Sequence, residues 1–179
     1  MKPRGPLMIE HRLIEKMIAV IKDQIAIMRK RNSVDAIFID AAVDFIRTYA
    51  DKTHHGKEED ILFRDLAKKN MSATDKKGMQ ELVEEHKFAR KQVAELVQAK
   101  EDCVAGRKEA LKTVLDSLAT IVEFYPEHIR REDEAFFPDT EKYFSHAELD
   151  AMLQELWEFD KKMIHEKYKA VVEQWKQGT

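Results

Sequence analysis

His54-His55-Gly56-Lys57-Glu58-Glu59-Asp60-Ile61-Leu62-Phe63 is the stretch that decides how this chain folds. Stepping back from His54 by helical turns meets Ala50 and Ile46, and stepping forward meets Glu58 and then Leu62. Residues at i and i+4 stand side by side on a helix, so an imidazole and a carboxylate interrupt an otherwise apolar, inward-facing stripe. A second stretch, His128-Ile129-Arg130-Arg131-Glu132-Asp133-Glu134-Ala135-Phe136, repeats the arrangement: Ile121 and Tyr125 precede His128, and Glu132 and Phe136 follow it. Two more histidines lie on apolar stripes, His86 with Arg90 one turn on and His11 with Glu15 one turn on. His11 shares a face with Ile14, Ile18 and Ile21, and His86 continues Met79, Leu82 and Val83 towards Val93.

Around these residues the apolar period predicts five helices. The first runs from Met8 to about Met28, with Leu13 and Met17 in its stripe, and Asn32-Ser33 reads as a stop followed by an N-cap. The second runs from Val34 to about Lys69, carries Phe38, Phe45, Ile46 and Ala50, and has Gly56 as a candidate bend. The third begins after Ser72 or Thr74 and reaches about Ala99; the fourth spans about Arg107 to Phe137, with a kink expected at Pro126 and an end at Pro138. Ser145-His146-Ala147-Glu148 reads as a capping box opening a fifth helix to about Trp175. The fold expected is all-α: an up-down-up-down four-helix bundle over residues 1–140, with a C-terminal helical extension over 141–179 packed on it.

Composition narrows the function classes. Five glycines and four prolines in 179 residues, with 36% charged residues, favour long helices over many turns. A net charge of −3 argues against a nucleic-acid footprint. The single cysteine, Cys103, excludes an intrachain disulfide and leaves iron–sulfur or zinc-finger chemistry without ligands. No apolar run approaches the ~20 residues of a membrane span, and residues 1–6 lack the apolar core of a secretory leader. A cytoplasmic protein that touches neither membrane nor nucleic acid is the expectation, with a homodimer left open.

The chemistry follows from what burial costs. An ionised carboxylate in an apolar interior is destabilising by several kcal/mol or more, and Glu58 and Glu132 both lie on inward stripes. A pair of metal ions resolves the conflict, because each carboxylate can bridge the two while histidines terminate them. Four imidazoles and two carboxylates without a thiolate suit iron or manganese better than structural zinc or calcium. His55 and Glu59 repeat the spacing one residue along and point about 100° away on a regular helix. They read as solvated or supporting groups, or as the register alternative if Gly56 distorts the helix.

In order along the chain, Glu10-His11-Arg12, the His54 stretch through Leu62-Phe63, Glu85-His86, and the His128 stretch through Phe136-Phe137-Pro138 resemble the haemerythrin/HHE cation-binding family, over roughly Leu7 to Pro138. That resemblance implies a haemerythrin-like bundle holding two iron ions, oxo- or hydroxo-bridged, with manganese or zinc as possible substitutes. It implies His11, His54, Glu58, His86, His128 and Glu132 as the metal ligands. The function implied is a non-haem di-iron protein that binds, senses or detoxifies O2, NO or peroxide, a binding protein more than a dedicated enzyme. The alternative is a ferritin-like di-iron oxidase or peroxidase that turns over. The chain departs from the oxygen carriers at Arg90, where they have a second third-helix histidine, and Asp133 competes with Glu132 as the fourth-helix carboxylate. Glu15, His55, Glu59 and His165 are candidates to complete the site, and Tyr49 and Tyr125 are candidate donors to a bound oxidant.

Overall fold

In the computed structural model the backbone is described for residues 2–176 and the side chains for residues 2–163 and Lys167; His165 and Tyr168 therefore lie outside the described side chains. Five helices and no strand occur among the described residues. Helix α1 is Arg4–Arg31. Helix α2 covers 36–66 and changes its winding: Ala36–Phe45 is α-helical, Ile46–His55 and Glu58–Phe63 are π-helical, and Arg64–Leu66 returns to α. Helix α3 is Ala73–Val104. Helix α4 covers 110–141, with a π turn at Glu132–Phe136 between Ala110–Arg131 and Phe137–Glu141. Helix α5 is His146–Lys176.

The caps explain most of the boundaries. Asn32 takes the left-handed conformation (φ 48°) that closes α1. The N-cap of α2 is Asp35, which accepts from the Phe38 N–H at 3.0 Å, so the helix starts two residues later than Ser33 as cap would give. Ser72 caps α3 through the Asp75 N–H at 3.1 Å. The capping box of α5 forms as read: Glu148 accepts from the Ser145 N–H at 2.9 Å, and the Ser145 hydroxyl accepts from the Glu148 N–H at 3.3 Å. Pro126 sits inside continuous helix. Pro138 does not end α4 either: it falls in the first turn after the π turn, where its missing N–H is tolerated, and the helix runs on to Glu141.

The four long helices form a ring in which α1 packs on α4 and α2, and α3 packs on α4 and α2, while α5 lies outside against α2. The interior has two apolar clusters. One contains Ile14, Ile18, Ile21, Ile39, Ala42, Ile46, Val93, Leu96, Val114, Leu118 and Ile121. The other contains Leu7, Ile61, Leu62, Leu66, Leu82, Phe136 and Phe137, with Met152 and Leu156 of α5. Each fully buried Leu or Ile there stabilises the fold by roughly 1.5–3 kcal/mol. Along every bundle helix the histidines fall between the two clusters, so the polar residues occupy one layer across the middle.

Helix α5 is fastened by Arg64–Glu155 at 2.6 Å and by Lys69–Glu148. Its Phe159 ring crosses α2 at Gly56, where a Cβ would stand 3.0 Å from Phe159 Cζ. Gly56 has helical φ/ψ. The glycine marks this close approach and not a bend.

Candidate metal centre

Seven side chains from all four bundle helices meet in the middle layer. His11 comes from α1, His54, His55 and Glu58 from α2, His86 from α3, and His128 and Glu132 from α4; each is at most 2% exposed. They form two groups whose donor atoms lie within 4.8 Å of one another: His11, His54, Glu58 and Glu132 in one, and His55, His86 and His128 in the other. The carboxylates stand between the groups. Glu58 Oε1 is 3.5 Å from His54 Nε2 while its Oε2 is 3.4 Å from His86 Nε2. Glu132 Oε2 is 3.2 Å from His11 Nε2 while its Oε1 is 3.4 Å from His128 Nε2.

None of these central atoms is hydrogen-bonded. Nε2 of His11, His54, His86 and His128 and all four oxygens of Glu58 and Glu132 are buried without a partner. Buried polar groups are almost always paired, and one orphan costs about 1–3 kcal/mol. Eight converging orphans fit cations: donors 2.0–2.2 Å from one ion lie roughly 3 Å apart, the spacing found here.

The opposite ring nitrogens are fully engaged. The Nδ1 atoms of His11, His54, His86 and His128 pair with Asp133 (2.7 Å), Glu10 (2.9 Å), Glu59 (2.7 Å) and Glu85 (2.7 Å). His55 Nδ1 is the exception: it faces Asp51 at 3.4 Å but makes no hydrogen bond. Behind each carboxylate stands a cation: Arg12 on Asp133, Lys57 on Glu10, Arg131 on Glu85, and Arg90 on both Asp51 and Glu59. Carboxylates placed this way fix the tautomer, turning each Nε2 lone pair inward and raising its basicity.

The arrangement repeats within the chain. Glu10-His11 and His54 to Glu58-Glu59 in α1–α2 correspond to Glu85-His86 and His128 to Glu132-Asp133 in α3–α4, offset by 75 residues and then 74. The pairing repeats too: the Glu before the first histidine binds the second histidine's Nδ1, and the acid after the central Glu reaches across to the other half. Lys57 and Arg131, each preceding a central glutamate, hold Glu10 and Glu85. His55 breaks the two-fold relation, because Ile129 stands at its counterpart.

Burial sets the ionisation. It raises the carboxyls of Glu58 and Glu132 well above the ordinary range, reinforced at Glu58 by Glu10 and at Glu132 by Glu58. Burial, then the neighbouring imidazoles, lowers His54 and His55 well below 6.5 and brings His128 down to about 4, even against the pull of Glu85. For Glu59 and Glu85, burial is outweighed by hydrogen bonds from His86 and His128, and both carboxyls are held low. Glu59 and Glu85 are therefore charged and His54, His55 and His128 neutral, whereas burial raises Glu10 against the pull of Lys57 and disfavours ionisation of Glu58 and Glu132 unless a cation is present.

All six residues expected at the site converge on this layer. Of the two fourth-helix acids, Glu132 points to the centre and Asp133 to His11 Nδ1 and Arg12. Glu15 is paired with Arg12, away from the centre, and Glu59 serves His86 from outside. His55 is 1% exposed and stacked 3.8 Å from His86, not solvated. The π winding of 46–55 turns each residue by less than an α-helix does, so adjacent histidines both face inward; the Thr53 hydroxyl bonds the Thr48 carbonyl five residues back, at 2.7 Å. The signal available in sequence was His-His beside Gly56, which already raised the register question. Tyr125 is 1% exposed with an unpartnered hydroxyl that burial keeps protonated. It lines, with Asp51, His55 and Arg90, a pocket of about 80 Å³ between α2, α3 and α4. Tyr49 lies on another groove, beside Glu10 and Asp160, and Arg90 carries no ligand role but ties two of the outer carboxylates.

No curated protein and no solved structure matched the chain. The family profile described as Hemerythrin HHE cation binding domain matches residues 6–139 and again 77–178, the second match starting inside the helix that opens the second half of the bundle. With that coverage and this histidine–carboxylate layer, the chain belongs to the haemerythrin HHE cation-binding family.

Proposed function

We propose that this protein holds two iron ions in its middle layer and uses them to bind, sense or detoxify a small oxidant: O2, NO or peroxide. The observation that carries the reading is the set of eight inward, buried, unpartnered donor atoms on His11, His54, His86, His128, Glu58 and Glu132. His11 and His54 serve one ion, and His55, His86 and His128 the other. Glu58 and Glu132 would each offer one oxygen towards either group of histidines. His55 thus supplies from α2 the extra histidine that oxygen-carrying haemerythrins bring from the third helix, and Arg90 is free to orient Glu59 and Asp51. One group would then offer four protein donors and the other five, so the two positions would be inequivalent.

When bound, the iron pair supplies redox equivalents and open coordination positions, chemistry that neutral imidazoles and carboxylates support. The protein's own part is to aim the donors, exclude water with two apolar clusters, and admit small molecules. The pocket at His55 is the entry this reading assigns, and the Tyr125 hydroxyl is its hydrogen-bond donor. Iron content of wild type against Glu58→Ala and Glu132→Ala tests the assignment: two per chain falling towards none supports it, and unchanged iron refutes it. Peroxide or NO consumption above that of free iron would mark the protein as an enzyme and not a carrier or sensor.

A further inference from the structure

The outer face of α1 is not what a solvated helix face looks like. Eight large apolar side chains are exposed among the described residues, and four of them share this one helix: Ile9 (61%), Leu13 (43%), Val20 (46%) and Ile27 (38%). Single exposed apolar groups are ordinary, but these form a row. Leu13, Val20 and Ile27 recur every seven residues, with Ile9 one turn before Leu13. The remaining seam positions are Lys16 and Asp23, and two exposed alanines, Ala19 and Ala26, flank the row. Leu13 fits the helical period of the core stripe, yet lies outside the bundle on this row. Helix α5, which lies outside the ring, packs against α2, and the four residues of the row are exposed among the described residues.

We propose that this face binds a second copy of the chain, α1 against α1 and antiparallel. A seven-residue apolar repeat is the pattern that keeps two helices in contact along a seam. The charges choose the direction. Paired in parallel, Lys16 meets Lys16 and Asp23 meets Asp23. Paired antiparallel about a two-fold axis at Val20, Leu13 opposes Ile27 and Lys16 comes within reach of Asp23, so the two like-charge seam pairs become two unlike ones, while Ile9 falls beside Arg31 at the end of the seam. Ala19 and Ala26 let the backbones approach. The row from 9 to 27 is about 27 Å long, which puts the contact near the lower limit for a specific interface, roughly 1,000 Å². The dimer is therefore reversible and concentration-dependent. It is independent of the metal centre, since the row faces away from every histidine.

Sedimentation velocity of the full chain from about 1 to 300 µM, in low salt, tests this. A monomer–dimer equilibrium is expected, weakened at least about 10-fold by Val20→Lys and roughly 2–5-fold by Lys16→Asp or Asp23→Lys alone. The double variant Lys16→Asp/Asp23→Lys restores wild-type association, because the complementary pair is rebuilt with its sign reversed. Circular dichroism and iron content of Val20→Lys match wild type, which separates lost association from lost folding. A chain that stays monomeric across the range, a dimer indifferent to Val20→Lys, or charge variants whose double change is as weak as the singles would each overturn the proposal.

Discussion

Replacing Glu132 by glutamine should move the stability of the metal-free and metal-loaded protein in opposite directions. Glu132 is fully buried, both of its oxygens lack partners, and its carboxyl is raised by burial and by Glu58. Without metal, wild type must hold a proton there or bury a charge. Glutamine has the same shape and no charge, so the chelated variant should match wild type or gain up to about 1–3 kcal/mol, the cost of an unsatisfied buried group. With metal the sign reverses. At a free concentration a hundred times Kd, binding to the native state adds about 2.7 kcal/mol. In a chain of this size about 1 kcal/mol moves Tm by ~2–4 °C, so wild type should rise by about 5–11 °C. Glu132→Gln should lose most of that rise. The assay is calorimetric melting with chelator and with ferrous ion, done anaerobically. A variant destabilised by chelation-independent degrees, with the metal-induced rise intact, would refute the reasoning and make Glu132 an ordinary core residue.

Metal uptake at pH 7 should release protons from Glu58 and Glu132, because both carboxyls are raised and must ionise to bind. Affinity then increases with pH, and calorimetric titration in two buffers of different ionisation enthalpy should show net proton release on metal uptake. Lys57→Met should cost about 3–5 kcal/mol, since it strips the buried cation from Glu10 and Asp160; a denaturant midpoint within error of wild type would contradict that. Tyr125→Phe should leave stability unchanged or raise it, because the buried hydroxyl has no partner to lose, while weakening azide binding to the iron-loaded protein, read by its absorption spectrum. Undocking of α5 should follow pH at the acid end. Two α5 carboxylates carry the contact: Lys69 and Ser145 hold Glu148 at about 2, and Arg64 holds Glu155 below the usual carboxylate range. Lowered carboxyls stabilise above their unfolded pKa near 4 and lose that contribution as pH falls towards 2, so Trp157 fluorescence should report α5 loosening between pH 4 and 2.

The sequence was legible where the α-helical period held. His54 with Glu58 and His128 with Glu132 are one turn apart, and His11 and His86 continue apolar rows, so the central layer could be read before any coordinates. His55 could not, because its inward direction depends on π winding that a 3.6-residue period does not register. The outer carboxylates were hidden for a related reason. Glu10 and Glu85 precede a histidine yet serve the next helix, a relation that exists only once α1 meets α2 and α3 meets α4. Leu13 fits the core period and still faces outward, since the stripe is wider than the face that neighbouring helices cover. Pro138 looks like a terminator until the π turn before it is known.

Metal stoichiometry with site variants tests the central claim most directly. Iron-loaded, desalted wild type should hold two ions per chain, and His55→Ala should hold fewer because the five-donor position loses a ligand. Wild type that retains no metal, or His55→Ala and Glu58→Ala variants that retain two, would contradict a paired metal centre built from these residues.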